Sequence, residues 1–131
     1  MPAADITSCT PGSLLLIPNF HFGKLIKPKY CITLESWDNG HDDLIAVLTT
    51  SNLKHRTWKG AVFVPKDTIG LPEDSLIMCH NPKLLKKQYF IKAVYRNQIP
   101  QNILEQILRN LKLGHIDPFL VLRVRGITKF P

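Results

Sequence analysis

What most limits the folds open to this chain is a succession of short apolar runs, each soon stopped by proline, glycine or the Asn39-Gly40 turn pair. Ser13 to Ile17, Tyr30 to Leu34, Leu44 to Thr50, Ala61 to Val64, Ser75 to Cys79 and Gln88 to Arg96 are all of strand length. Tyr30, Ile32 and Leu34 alternate onto one face. Tyr89, Ile91, Ala93 and Tyr95 alternate against Lys92 and Arg96, the pattern of a half-exposed strand. Leu44 to Leu48 is apolar without a break, which predicts a central strand buried on both faces. The period changes once. Ile103, Leu104, Ile107, Leu108 and Leu111 share one helical face, Pro100 suits a first turn and Gly114 a stop, so a helix is predicted over 100–112. Pro18 to Pro28, between the first two strands, reads as a long loop.

Many short strands followed by one helix predict a mostly β fold, a small antiparallel barrel with a C-terminal helix. The 131 residues suit one domain. Its expected parts are a flexible N-terminus over 1–11, the barrel and helix over 12–114, and a tail over 115–131. Phe119 to Val124 in that tail reads as a last strand or a partner-binding segment.

Hydrophobic residues make up 44% and charged residues 21%, values of a globular rather than a disordered protein. The three cysteines form no CxxC pair and no even framework, which points to reduced thiols; Cys31 and Cys79 lie within apolar runs and read as core. Leu14 to Ile17 is too short and lacks the basic lead-in for a signal peptide. No run approaches the ~20 apolar residues that span a bilayer, so a cytoplasmic protein with no membrane association is expected. The net charge of +7 is uneven: residues 1–75 carry −1 and residues 76–131 carry +8. Such a field favours a polyanion or an acidic protein partner.

Walker, GxGxxG, HExxH and GxSxG motifs are absent, which leaves nucleotide hydrolysis, dinucleotide binding, zinc proteolysis and esterase chemistry without sequence support. His41-Asp42-Asp43 beside the Asn-Gly turn reads as a solvated turn, and His55 and His115 as surface residues. No metal or cofactor is expected.

A loop ending in Lys27-Pro28 precedes the strand Lys29 to Leu34. The third strand ends in the hydroxyl corner Leu48-Thr49-Thr50-Ser51-Asn52-Leu53. A GLxxDS turn, Gly70 to Ser75, leads into Leu76 to Cys79, and a last strand leads into the amphipathic helix. In the order of these pieces the chain resembles the PemK/MazF family of toxin ribonucleases over about residues 12–112. The resemblance implies an SH3-like barrel, usually a homodimer, that cleaves single-stranded RNA without metal through a 2′,3′-cyclic phosphate and is inhibited by an antitoxin, here expected to be acidic.

Such cleavage needs a base for the 2′-OH, an acid for the leaving oxygen and a cation for the phosphorane charge. By the resemblance, Lys27 supplies that charge where many members have arginine, and Thr49, Thr50 and Ser51 match the hydroxyl corner. The correspondence does not choose between Thr49 and Thr50. The alternative for these hydroxyls is bonding to their own backbone. His21, in the first loop, is the acid–base candidate, with an ordinary pKa of about 6.5. Lys24, Lys29, His80, Lys83 and Arg96 are candidate RNA contacts, with Lys83 where an arginine is expected. Lys86, Lys87 and Lys92 add charge nearby. Phe22, Trp37 and Trp58 are candidates either for base stacking or for core and dimer packing. The competing reading is a catalytically inactive barrel of the same fold that binds nucleic acid or an acidic protein.

Overall fold

The computed structural model describes residues 9–55, 60–111 and Arg123. Residues 1–8, His115, Trp58, Gly114 and the rest of the 119–124 run lie outside the described residues. Among the described residues, seven strands, β1 (Ser13–Phe22), β2 (Leu25–Thr33), β3 (Asp43–Thr50), β4 (Ala61–Val64), β5 (Ser75–Met78), β6 (Lys83–Lys86) and β7 (Val94–Gln98), precede a helix, α1 (Gln101–Asn110). The strands form an antiparallel sheet in the order β4-β5-β3-β2-β1-β7, with β6 also paired to β3. The sheet curls into a half-barrel closed on one side by α1.

The central strand accounts for the curl. β3 pairs with β6 over its first half, Asp43↔Lys86 to Ala46↔Lys83, and with β5 at its end, Thr49↔Ile77 and Thr50↔Leu76. Its other edge carries β2, from Cys31↔Leu48 to Thr33↔Ala46. Both faces of β3 are buried, as its unbroken apolar run predicts. Ile45 and Val47 join Leu14, Ile32 and Leu34 in the core beneath α1, where Leu104, Ile107, Leu108 and Leu111 are also buried. Leu44, Ala46 and Leu48 face a second core with Leu15, Ile17 and Phe90. Cys31 and Cys79 are fully buried within these cores.

Three expectations are revised. Pro18 to Pro28 is not a loop but the outer half of a β1–β2 hairpin. Its ladder runs from Leu14↔Ile32 to Phe22↔Leu25, with a register shift between Ile17 and Phe20. The pairs Ile17↔Lys29 and Phe20↔Lys27 leave Pro18 and Asn19 opposite Pro28 alone. The bulge thus puts both prolines where the ladder needs no N–H. Secondly, Gln88 to Arg96 is not one strand. Lys87–Phe90 is a 3-10 helix and the strand begins at Val94. Phe90 is fully buried whereas Ile91 is 75% exposed, so the sequence alternation does not describe the burial. A further strand with no counterpart in the sequence reading, β6, arises from Lys83-Leu84-Leu85-Lys86, whose flanking lysines hide a strand that buries only Leu85. Thirdly, Pro100 is the N-cap of α1 rather than part of its first turn; its carbonyl accepts from the Ile103 and Leu104 N–H groups.

Within the segment expected to be flexible, residues 9–11 are tied to the corner after β2. Cys9 is buried, its carbonyl accepts from Trp37 N–H at 3.0 Å, and Thr33 Oγ1 donates to Thr10 O at 3.1 Å.

Candidate nucleic-acid site

The register of β2 and β3 brings the named residues together. Their last ladder pair is Cys31↔Leu48. Toward Lys27 on one strand and Ser51 on the other, β3 turns away to pair with β5, and a cleft opens between the strands. Lys27, Pro28, Lys29 and Tyr30 line one wall of this cavity of about 310 Å³, and Thr49, Thr50, Ser51 and Asn52 line another. Leu71, Pro72, Glu73 and Ser75 complete it.

The fixed letters of the GLxxDS turn build that third wall. Gly70 adopts φ +97°, a conformation that favours glycine. Leu71 anchors in the core at 1% exposure. Asp74 Oδ1 accepts from Lys66 N–H at 2.7 Å, and Ser75 Oγ donates to the Glu73 carbonyl at 2.8 Å. Pro72 and Glu73, the variable letters, are exposed.

The cavity is cationic at β2 and rich in hydroxyls at β3. Lys27 is exposed and Lys29 is half-buried. Burial, and then the neighbouring Lys27 charge, hold the Lys29 ammonium below its ordinary pKa. Thr49 is buried. Thr50 is partly open, and its Oγ1 accepts from Asn52 N–H at 3.1 Å, which leaves its own proton to donate. Among the described residues, no three His, Cys, Asp or Glu side chains cluster as metal ligands.

The other named residues lie elsewhere. His21, opposite Ile26 in the hairpin, lines a larger cavity of about 560 Å³ with Asn19, Gln88, Tyr89 and Lys92. Its ring meets Tyr89 edge-on, with centroids 6.2 Å apart. Size does not decide between the two cavities; the smaller one holds the cations and hydroxyls that suit a phosphodiester. Lys24 is exposed in the hairpin turn and Arg96 is exposed on β7. His80 follows β5, and Lys83 opens β6 opposite Ala46. None of these four lines either cavity. Trp37 packs edge-on against Phe90 at 6.3 Å with Lys87 Nζ 5.0 Å above its ring, a packing role. The sequence reading missed Asn52, Glu73 and Ser75 as lining residues. Their signals were the quoted motifs, the hydroxyl corner for Asn52 and the turn for Glu73 and Ser75.

Another feature lies at the opposite end of β2 and β3. Arg123 of the C-terminal segment binds Glu35 and Asp43, with Nη1 2.7 Å from Asp43 Oδ1. Burial works against its charge, but the hydrogen bonds it donates to Glu35 and Asp43, with their negative charges, outweigh that and raise its pKa. Asp43 of the expected solvated turn is therefore an ion-pair partner.

No protein-family model matches the sequence, and no curated protein matches it. Solved structures do match. The MazE-MazF structure (Form-III) from Deinococcus radiodurans superposes with a TM-score of 0.63 at 15% identity, covering 79% of this chain and 92% of that one. MazF (Form-I) from the same organism gives 0.60 at 13% identity, over 79% and 93%. At this identity the likeness speaks for the fold, and the fold of this chain is that of the MazF/PemK-like barrels.

Proposed function

We propose that the protein is a toxin-type endoribonuclease. It cleaves single-stranded RNA by attack of a ribose 2′-OH on the adjacent phosphorus, with no metal or cofactor. The O2′–P bond forms, the P–O5′ bond breaks, and the products are a 2′,3′-cyclic phosphate and a 5′-hydroxyl. One observation carries this reading: the β2 lysines and the β3 hydroxyl corner line one cavity. Lys27 offsets the charge that develops on the phosphorane. Thr50, with its proton free to donate, and exposed Ser51 hold the non-bridging oxygens. Thr49 shapes the strand end from its buried position. Lys24, Lys83, Arg96 and His80 add to the field that draws in the polyanion rather than touching the reacting phosphate. The MazF-like fold supports the same reading.

As MazF of D. radiodurans is seen with MazE, we assign this chain an acidic antitoxin as partner. Leu25, Ile26, Ile91 and Val94 are exposed apolar residues around the hairpin and β7, and offer the surface a homodimer buries. No helix among the described residues is long and apolar enough to cross a membrane, in keeping with a cytoplasmic site of action.

The test is cleavage of a single-stranded RNA in EDTA, followed by analysis of the product ends. Cyclic phosphate termini are expected, with an all-deoxy strand of the same sequence left whole. RNA binding without EDTA-resistant cutting would select the alternative, an inactive barrel. That reading draws on the placement of His21, His80 and Lys83 away from the cavity.

A further inference from the structure

We propose that Glu73 is the general base of the Lys27 cavity: its carboxylate takes the proton of the attacking 2′-OH, and Lys29 protonates the departing 5′-oxygen. This rests on the ribonuclease reading above. Proton transfer requires a group within hydrogen-bond reach of the 2′-OH, and His21, the sequence's candidate, lines the other cavity. Among the described residues, the titratable side chains lining the Lys27 cavity are Lys27, Lys29, Tyr30 and Glu73. Lysine and tyrosine side chains ordinarily carry their protons near neutral pH; a carboxylate does not. Of these four, Glu73 belongs to the type that arrives in the basic form.

Its position is built rather than incidental. The turn that carries Glu73 is anchored by buried Leu71, and Asp67 N–H donates to the Leu71 carbonyl at 2.9 Å. The Ser75 hydroxyl holds the Glu73 carbonyl itself. Asp74, the adjacent carboxylate, accepts from Lys66 N–H and braces the turn, so the two acidic neighbours have separate tasks. Every fixed residue of the turn has a structural duty, and the carboxylate left to the cavity is that of Glu73.

The step balances within the cavity. The 2′-O–H bond breaks and its proton passes to Glu73, while the freed electron pair forms the bond to phosphorus. The P–O5′ bond breaks, and the 5′-oxygen takes a proton from the Lys29 ammonium. Lys29 lines the same cavity, and burial and the neighbouring Lys27 charge lower its pKa, which eases release of its proton. Exchange with solvent returns Glu73 to its carboxylate and Lys29 to its ammonium.

The experiment is a pH–rate profile of RNA cleavage in EDTA for the wild type, Glu73→Gln and Glu73→Asp. Among the described residues, the titratable groups that line the cavity with Glu73 are Lys27, Lys29 and Tyr30 from β2, and Asp74 adjoins it in the turn; the Thr49–Asn52 wall has none that titrate. The expected wild-type rate falls on the acid side as Glu73 takes up a proton. Glu73→Gln is expected to cut about a hundredfold or more slowly and to lose that acid limb. It should bind a 2′-O-methyl strand as tightly as the wild type or more so, since one negative charge is gone. Glu73→Asp should keep the limb at a reduced rate. Cutting by Glu73→Gln at the wild-type rate, or with the wild-type acid limb, overturns the assignment and leaves the ribonuclease reading standing. A Glu73→Gln protein that fails to bind the strand also overturns it, by showing a holding role. A wild type that does not cut at all overturns both.

Discussion

Lysine and arginine meet a phosphate differently, one as a point charge and the other as a planar fork. At Lys27 the charge is what the proposed chemistry uses. Lys27→Ala is therefore expected to slow cleavage by about a hundredfold, the scale of losing one group that stabilises a developing oxyanion, while Lys27→Arg restores most of it. Single-turnover rates on one RNA check both. Another residue-scale expectation concerns the thiols. Cys9, Cys31 and Cys79 are all buried; burial pushes Cys79 up to about 12, and burial followed by the Cys9 charge raises Cys31 as well. Little Cys31 or Cys79 thiolate exists at neutral pH, so iodoacetamide should label these two slowly in the native protein and fast in the unfolded chain. Fast native labelling at Cys31 or Cys79 would contradict the packing. Of the residues lining the β2–β3 cavity, Lys27 and the Thr49–Ser51 corner were legible in the sequence because they adjoin two recognisable apolar runs. His21 misled because its neighbours looked like a loop able to reach the cavity, whereas strand pairing with Ile26 fixes it beside Tyr89. Glu73 was invisible as a site residue because the letters that mark its turn are those that fold it.

Among the elements, those with regular patterns were readable: buried β3, short β4 and β5, and α1 with its single apolar face. The hairpin was not, since Pro18, Gly23 and Pro28 are loop signals wherever a bulge does not absorb them. β6 was lost for a similar reason: a strand with two lysines in four residues lacks an alternating pattern long enough to count. The second core supplies a stability test. Phe90 is fully buried in the 3-10 helix, so Phe90→Ala should cost about 3–5 kcal/mol in denaturant unfolding. Gly60, just before β4, has φ +88°, and an added Cβ there would lie 2.8 Å from His80 Cβ. Gly60→Ala should destabilise by about 1–3 kcal/mol through strain and contact together. The C-terminal segment is joined to the start of β3 by Arg123. Arg123→Met leaves the Glu35 and Asp43 carboxylates facing each other with their cation gone, an expected loss of about 3 kcal/mol. Glu35 also accepts from Ile45 N–H at 2.9 Å, so the arginine steadies a carboxylate that in turn holds β3. An unchanged melting temperature in this variant would show that the contact does not hold the segment down.

For the whole molecule, charge and surface set the expectations. On the proposed function, a chain of net charge +7 should bind RNA in a way that weakens with salt; between 50 and 200 mM, about a tenfold loss in affinity is expected for a few phosphate contacts. If the exposed apolar residues of the hairpin and β7 form the homodimer surface, Ile26→Asp should yield a monomer in light scattering with the fold intact. In the proposed function, the reacting phosphate sits in the cavity between β2 and β3. The most direct measurement is therefore the map of backbone amide shifts on titration with a 2′-O-methyl single strand, which binds but cannot be cut. Changes centred on Lys27–Tyr30, Thr49–Asn52 and Leu71–Ser75 are predicted. Changes confined to Asn19, His21, Tyr89 and Lys92, with the β2–β3 cavity silent, would contradict the account.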